Sequence, residues 1–197
     1  MPEQFLNTTK KVSKNKINLK LFYSFYRDYI CPYRYIYTLE TGEVLEIKFE
    51  KNNFPHLLGL HKFKKVASID KAEEILIGIF EETITAQLLK ETDNTVFNVT
   101  ADRLTYFPTL QTILDTSKTL IKFDSTKCIP TKVDADFFIY SEEIKVIVFL
   151  AIREINSKDN KIICCPVSFM VDRTDKFQKS KQKHIKIKTL KKEDQIP

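Results

Sequence analysis

Only three glycines occur in 197 residues, Gly42, Gly59 and Gly78, and no two of them stand close together. That scarcity excludes the glycine-rich phosphate loops of nucleoside-triphosphate and dinucleotide sites, which need several glycines within one turn. GxSxG, HExxH and paired cysteine motifs are missing too, so the usual hydrolase and zinc templates have no footing. The longest apolar run is VIVFLAI, Val146 to Ile152, far short of the roughly 18 to 20 residues that a membrane helix requires. The opening MPEQFLNTTKKVSKNK carries lysines with no apolar block behind them, unlike a secretory signal, which points to a cytoplasmic protein. Four cysteines stand at 31, 128, 164 and 165; the adjacent pair suits neither a bridge nor zinc geometry, and all four read as reduced core thiols.

What is present is a core-forming composition, 43% hydrophobic and 29% charged, with a lopsided distribution of charge. Five lysines fall between Lys10 and Lys20 and eight between Lys176 and Lys192, with no acid in either stretch. The region between them, Leu21 to Asp175, holds 19 basic against 23 acidic residues. Lysine-rich ends on a mildly acidic body suit contact with phosphates or simply keep the surface solvated.

The chain divides into an early helical part and a late strand part. Residues 1–16 form a basic polar lead, 17–190 a single domain, and 191–197 a short polar tail. Ile17 to Ile30 places apolar and aromatic residues at helical spacing, and YRYIYTLE and EVLEIKFE flank Thr41-Gly42 as a β-hairpin. Helices are predicted over Ile69 to Glu91 and over Thr100 to Asp115, the second capped by Thr100 and kinked at Pro108. TLIKFD, VDADFFIYS, EIKVIVFLAIRE, KIICCPVSFMVD and HIKIKTL follow as strands. Helices before strands joined by short turns argue an α+β domain, with the helices packed on a mostly antiparallel, curved sheet.

The densest chemistry lies in FPHLLGLHK, residues 54 to 62, which holds two of the three histidines. Asn53 as a cap, Pro55 in the first turn and Gly59 as a left-handed stop predict one short helical turn, with His56 kept neutral beside its amides. No acidic or cysteine ligand stands at an obvious spacing from His56 and His61, so neither a metal nor a cofactor is expected. Two histidines, lysines and late-strand hydroxyls suit metal-independent RNA cleavage, in which the ribose 2′-OH attacks the neighbouring phosphate. His56 is the candidate base, His61 the acid and Lys62 the stabiliser of charge on phosphorus. Ser168, in an otherwise apolar strand, is a candidate phosphate contact. Arg103 and Tyr106, at i, i+3, could reach a phosphate and a base together. Lys127 and the tail residues Lys183, His184 and Lys186 are further candidate nucleic-acid contacts.

In order and character, the hairpin, the HLLGLHK block, two helices and late strands with a P-x-S-F segment resemble the phage-type barnase/EndoU/colicin/RelE-like nuclease domains, particularly their fourth subfamily. The resemblance spans roughly Tyr35 to Leu190. It implies a compact α+β ribonuclease fold found in toxins and in phage or mobile-element proteins. It also implies metal-independent action on RNA, with His56, and with it His61, Lys62 and Ser168, in the site. For a second basic residue on the sheet, Lys127, Lys145 and Arg153 compete. The alternative is a non-catalytic phage or mobile-element protein that docks on nucleic acid or a host protein. In either case the acidic body offers a face for an inhibitor or antitoxin.

Overall fold

The computed structural model describes residues 1–128 and 130–195. Helix α1 (Leu19–Tyr29) is capped by Asn18, whose side chain accepts from the Leu21 amide at 2.8 Å. The hairpin follows as β1 (Tyr33–Leu39) and β2 (Val44–Lys48), with Gly42 at φ 90° in the turn. Next come α2 (Phe54–Leu58), a 3-10 turn over Leu60–Lys62, and α3 (Lys64–Ala67). Helices α4 (Ala72–Phe80), α5 (Ala86–Thr92), α6 (Asn94–Tyr106) and α7 (Leu110–Thr116) complete the helical part. Strands β3 (Thr119–Lys122), β4 (Phe137–Tyr140), β5 (Ile147–Lys158), β6 (Lys161–Asp172) and β7 (Lys183–Asp194) then follow, with a single turn, α8 (Lys176–Lys179), between the last two.

The α+β class holds, and the curved sheet expected from the sequence closes on itself as a seven-stranded barrel, ordered β1-β2-β6-β5-β4-β3-β7. Among the described residues six strand pairings are antiparallel and one, β2 with β6, is parallel. Closure comes from β7, which pairs with β3 through its first half and with β1 through its second. A twelve-residue strand is long enough to serve the two neighbours in succession.

Two helical expectations also change. The stretch Ile69 to Glu91 is two helices, because Glu82 takes a left-handed φ of 61° and Thr85 starts a new helix by capping the Leu88 amide. Helix α6 begins at Asn94 with Asp93 as its cap, while Thr100 is buried mid-helix and returns its hydroxyl to the Val96 carbonyl. Pro108 interrupts the helix through a 3-10 turn over Phe107–Thr109.

Alternation along the late strands fills two cores. Leu120, Phe137, Ile139, Leu150, Ile152 and Phe169 join the helices in the main core. Their neighbours Ile121, Phe138, Phe149 and Ala151 form a second, smaller core with Phe123 and Cys128. Strands buried on both faces read as continuous apolar runs, which is why VIVFLAI lacks a polar face. The lead packs on the helices: Phe5 meets Phe22 and Phe25 edge-on, and the Thr112 hydroxyl donates to the Thr8 carbonyl. No helix among the described residues is long and apolar enough to cross a membrane.

Candidate active site

The FPHLLGLHK turn is held by its apolar positions. Phe54, Leu57, Leu58, Leu60 and the following Phe63 are fully buried, while His56, His61 and Lys62 face outward. Phe54 lies within 5.5 Å, ring to ring, of Tyr23, Tyr26 and Phe107, so the helical core fixes the turn that carries the histidines. Gly59 ends α2 at φ 71°, ψ 28°, and its amide donates to the His56 carbonyl at 2.9 Å. That reversal folds His61 back over His56, and the two imidazoles stack with centroids 4.6 Å apart and planes 17° apart. Asn53 does not cap α2 with its side chain; it accepts from the Glu50 amide and closes the preceding 3-10 turn.

Arg103, half-buried on α6, crosses the same turn. A Cβ on Gly59 would lie 2.7 Å from its Nη1, so the absence of a side chain at Gly59 is what lets the guanidinium through. Burial holds Arg103 down at about 10, with no charge or hydrogen bond acting in the other direction. No carboxylate among the described residues pairs with it.

The sheet supplies the opposite wall. Between β5 and β6 the register slips, pairing Ala151 with Ser168 but Ile152 with Pro166, so Val167 is the extra residue of a β-bulge. Proline, which has no N–H to give the ladder, is at home there. The bulge turns both Val167 and Ser168 toward one cleft, where regular alternation would send them to opposite faces. That cleft, of about 670 Å³, is lined by His56, His61, Lys62, Arg103, Ser168 and Arg153, with Val133, Val167 and Met170 as an apolar side. Lys132 and Asp134 close it from the β3–β4 loop, and Arg153 is paired with Asp134 at 2.8 Å.

The site is strongly cationic. Burial, then the charges of Arg103, Arg153 and Lys62, push His56 below the usual imidazole range. Burial, His56, Lys62 and Arg103 do the same to His61, and burial with Arg103 lowers Lys62. Crowding and neighbouring cations therefore act on His56 in the direction expected of it, toward the neutral form. Such a cluster attracts anions and disfavours the charged form of each imidazole.

Among the sequence-derived candidates, His56, His61, Lys62, Ser168 and Arg103 come together, and of the three competing sheet cations only Arg153 lines the cleft. Tyr106 points elsewhere: it is buried, with Lys11 and Arg173 over its ring at 5.8 and 5.6 Å. Lys127 pairs with Asp124 at 3.5 Å and lines a neighbouring cleft with Lys183. His184 and Lys186 are exposed on β7, opposite Ile121 and Thr119. Nothing in the sequence points to Lys132 or Asp134: VDADFFIYS reads as one strand from Val133, whereas β4 starts only at Phe137 and Asp134 lies in the β3–β4 connection.

Residues 18–197 match the family described as phage-Barnase-EndoU-ColicinE5/D-RelE like nuclease4. The chain belongs to this family. No curated protein and no solved structure matches it. The match spans nearly the whole chain, both walls of the cleft included.

Proposed function

We propose that this nuclease-family protein is an endoribonuclease that cleaves by 2′-OH attack, with the cleft between the histidine turn and the bulged strand as its active site. The observation that carries the reading is the stacked His56–His61 pair beside a desolvated, carboxylate-free Arg103. A neutral imidazole can take the proton of the 2′-hydroxyl, a protonated one can return a proton to the departing 5′ oxygen, and fixed cations stabilise the charge that builds on phosphorus. His56 serves as base and His61 as acid, with Arg103 and Lys62 on the non-bridging oxygens and Ser168 as a hydroxyl donor. In-line displacement puts the attacking and leaving oxygens on opposite sides of phosphorus. The stacked rings must therefore part when substrate enters.

The apolar side formed by Val133, Val167 and Met170 gives an unstacked base a dry surface to rest on, which favours unpaired RNA as the substrate class. The test is incubation with total RNA and a labelled single strand in excess EDTA, alongside His56→Ala. Products ending in 2′,3′-cyclic phosphate, lost in the variant, are expected. Intact RNA with binding retained would instead mark a nucleic-acid-binding protein whose histidine turn is structural.

A further inference from the structure

The charges facing the histidine pair come from every element around it. Lys62 stands on the 3-10 turn, Arg103 on α6, Arg153 on β5, and Lys132 and Asp134 on the β3–β4 loop. With both imidazoles neutral these groups sum to three positive charges, and Asp134, the one carboxylate, is already engaged by Arg153. A phosphodiester carries a single negative charge and would leave the cleft with an excess. A dianion answers it better, and the pentacoordinate state in RNA cleavage is itself doubly charged. The histidines add a second constraint. At 4.6 Å between ring centres, two imidazolium ions would repel strongly, so the pair behaves as one titrating unit that holds a single proton when an anion is present to attract it.

We propose that the cleft is built for a tetrahedral dianion in preference to a monoanion, and that the stacked His56–His61 pair takes up one proton as the dianion binds. The proposal rests on the reading of this cleft as a phosphate site and adds a charge state to it: the resting enzyme is proton-poor, and the developing dianion recruits the proton that the acid later delivers. RNA ends that carry a phosphomonoester, a dianion, would then compete with substrate, and the singly charged 2′,3′-cyclic phosphate product would compete less.

Sulfate and methyl sulfate separate the charge from the shape, because both are tetrahedral, carry two and one negative charges, and do not titrate near neutrality. Calorimetric titration at pH 7 in two buffers of different ionisation enthalpy should show sulfate binding at least about tenfold tighter. It should also show an uptake approaching one proton per sulfate. Arg103→Ala should erase the preference, and His56→Asn/His61→Asn should erase the uptake, with circular dichroism confirming that both variants fold. Equal affinities, or no binding of either ion, would overturn the dianion preference; sulfate preference without uptake would overturn the role of the pair. Cleavage of RNA is assayed separately. Intact RNA with the sulfate behaviour present would reject the nuclease reading alone, and cleaved RNA with equal affinities would reject this proposal alone.

Discussion

Replacing Gly59 by alanine should damage activity far more than stability, and the reason can be worked from the contact it makes. At φ 71° any side chain costs about 1–2 kcal/mol for the left-handed conformation. In a domain of this size that lowers the melting temperature by roughly 2–8 °C. The new Cβ would also sit 2.7 Å from Arg103 Nη1. The end of a flexible side chain yields easily, so the added energetic cost is small, but the guanidinium must leave its place over the turn. If Arg103 stabilises charge on phosphorus, losing it costs about 10²–10³-fold in rate, and Gly59→Ala should lose nearly as much. The two variants should then fail together, with the double variant no worse than Arg103→Ala alone. Gly42→Ala is the control: it shares a left-handed φ, of 90°, with nothing within 4 Å of the new Cβ, and should lose stability while keeping its rate. Thermal melts and initial rates on a labelled RNA strand read both quantities. A Gly59→Ala protein within about threefold of the parent rate, or losses that multiply in the double variant, would refute the coupling.

Because burial and cationic neighbours lower both histidines, the base stays unprotonated to lower pH than a free imidazole. The acid limb of kcat/KM should therefore have its midpoint below 6.5, and a midpoint above 7 would reverse the assigned electrostatics. Phe107→Ala removes a ring that meets Phe22, Tyr26, Phe54 and Phe169 and should cost about 3–5 kcal/mol in denaturant unfolding. Burial alone would raise Glu46, but the hydrogen bond and charge of Lys161, then Lys48 and Arg34, outweigh it and leave the carboxyl below its ordinary value. Its folded value lies below its unfolded one, so its stabilising contribution is full above about 4.5 and is lost as pH falls through the folded value. Glu46→Gln should flatten the stability profile in that acid window. Burial raises Cys31 to about 12 and pushes Cys164 up further, so both thiols should resist alkylation at pH 8 in the folded protein and react once it is unfolded.

The sequence made the histidine turn legible because its signals are local. Proline in the first turn, glycine at the stop and apolar residues at the intervening positions dictate a short helix ending in a left-handed reversal, and that reversal is what stacks the rings. The late strands were legible for a similar reason, since alternation and β-branched content act within each segment. Closure of the barrel was not legible. It depends on β7 leaving β3 for β1 midway, with a register shift at Thr38/Leu39, and no residue in HIKIKTL distinguishes a strand with two partners in succession from one with a single partner. Helix α4 was overextended for the opposite reason: the apolar period continues across Glu82, and the break is visible only as a non-glycine residue in a left-handed conformation.

The same division explains which site residues were read. His56, His61 and Lys62 are close in sequence, and chemistry that stands together in the chain can be inferred from the chain. Arg103 was paired in the sequence with Tyr106 on helical spacing, yet in the structure its partner is Gly59, 44 positions away, and Tyr106 belongs to a different face with Lys11 and Arg173. Ser168 depends on a bulge that only the pairing of two strands reveals. A cationic cleft of this kind costs the fold something: Arg103 is desolvated without a carboxylate to answer it. Arg103→Ala should accordingly leave the melting temperature unchanged or raise it while cleavage falls; a variant that lost both together would make Arg103 a structural residue and remove the main support for an anion site.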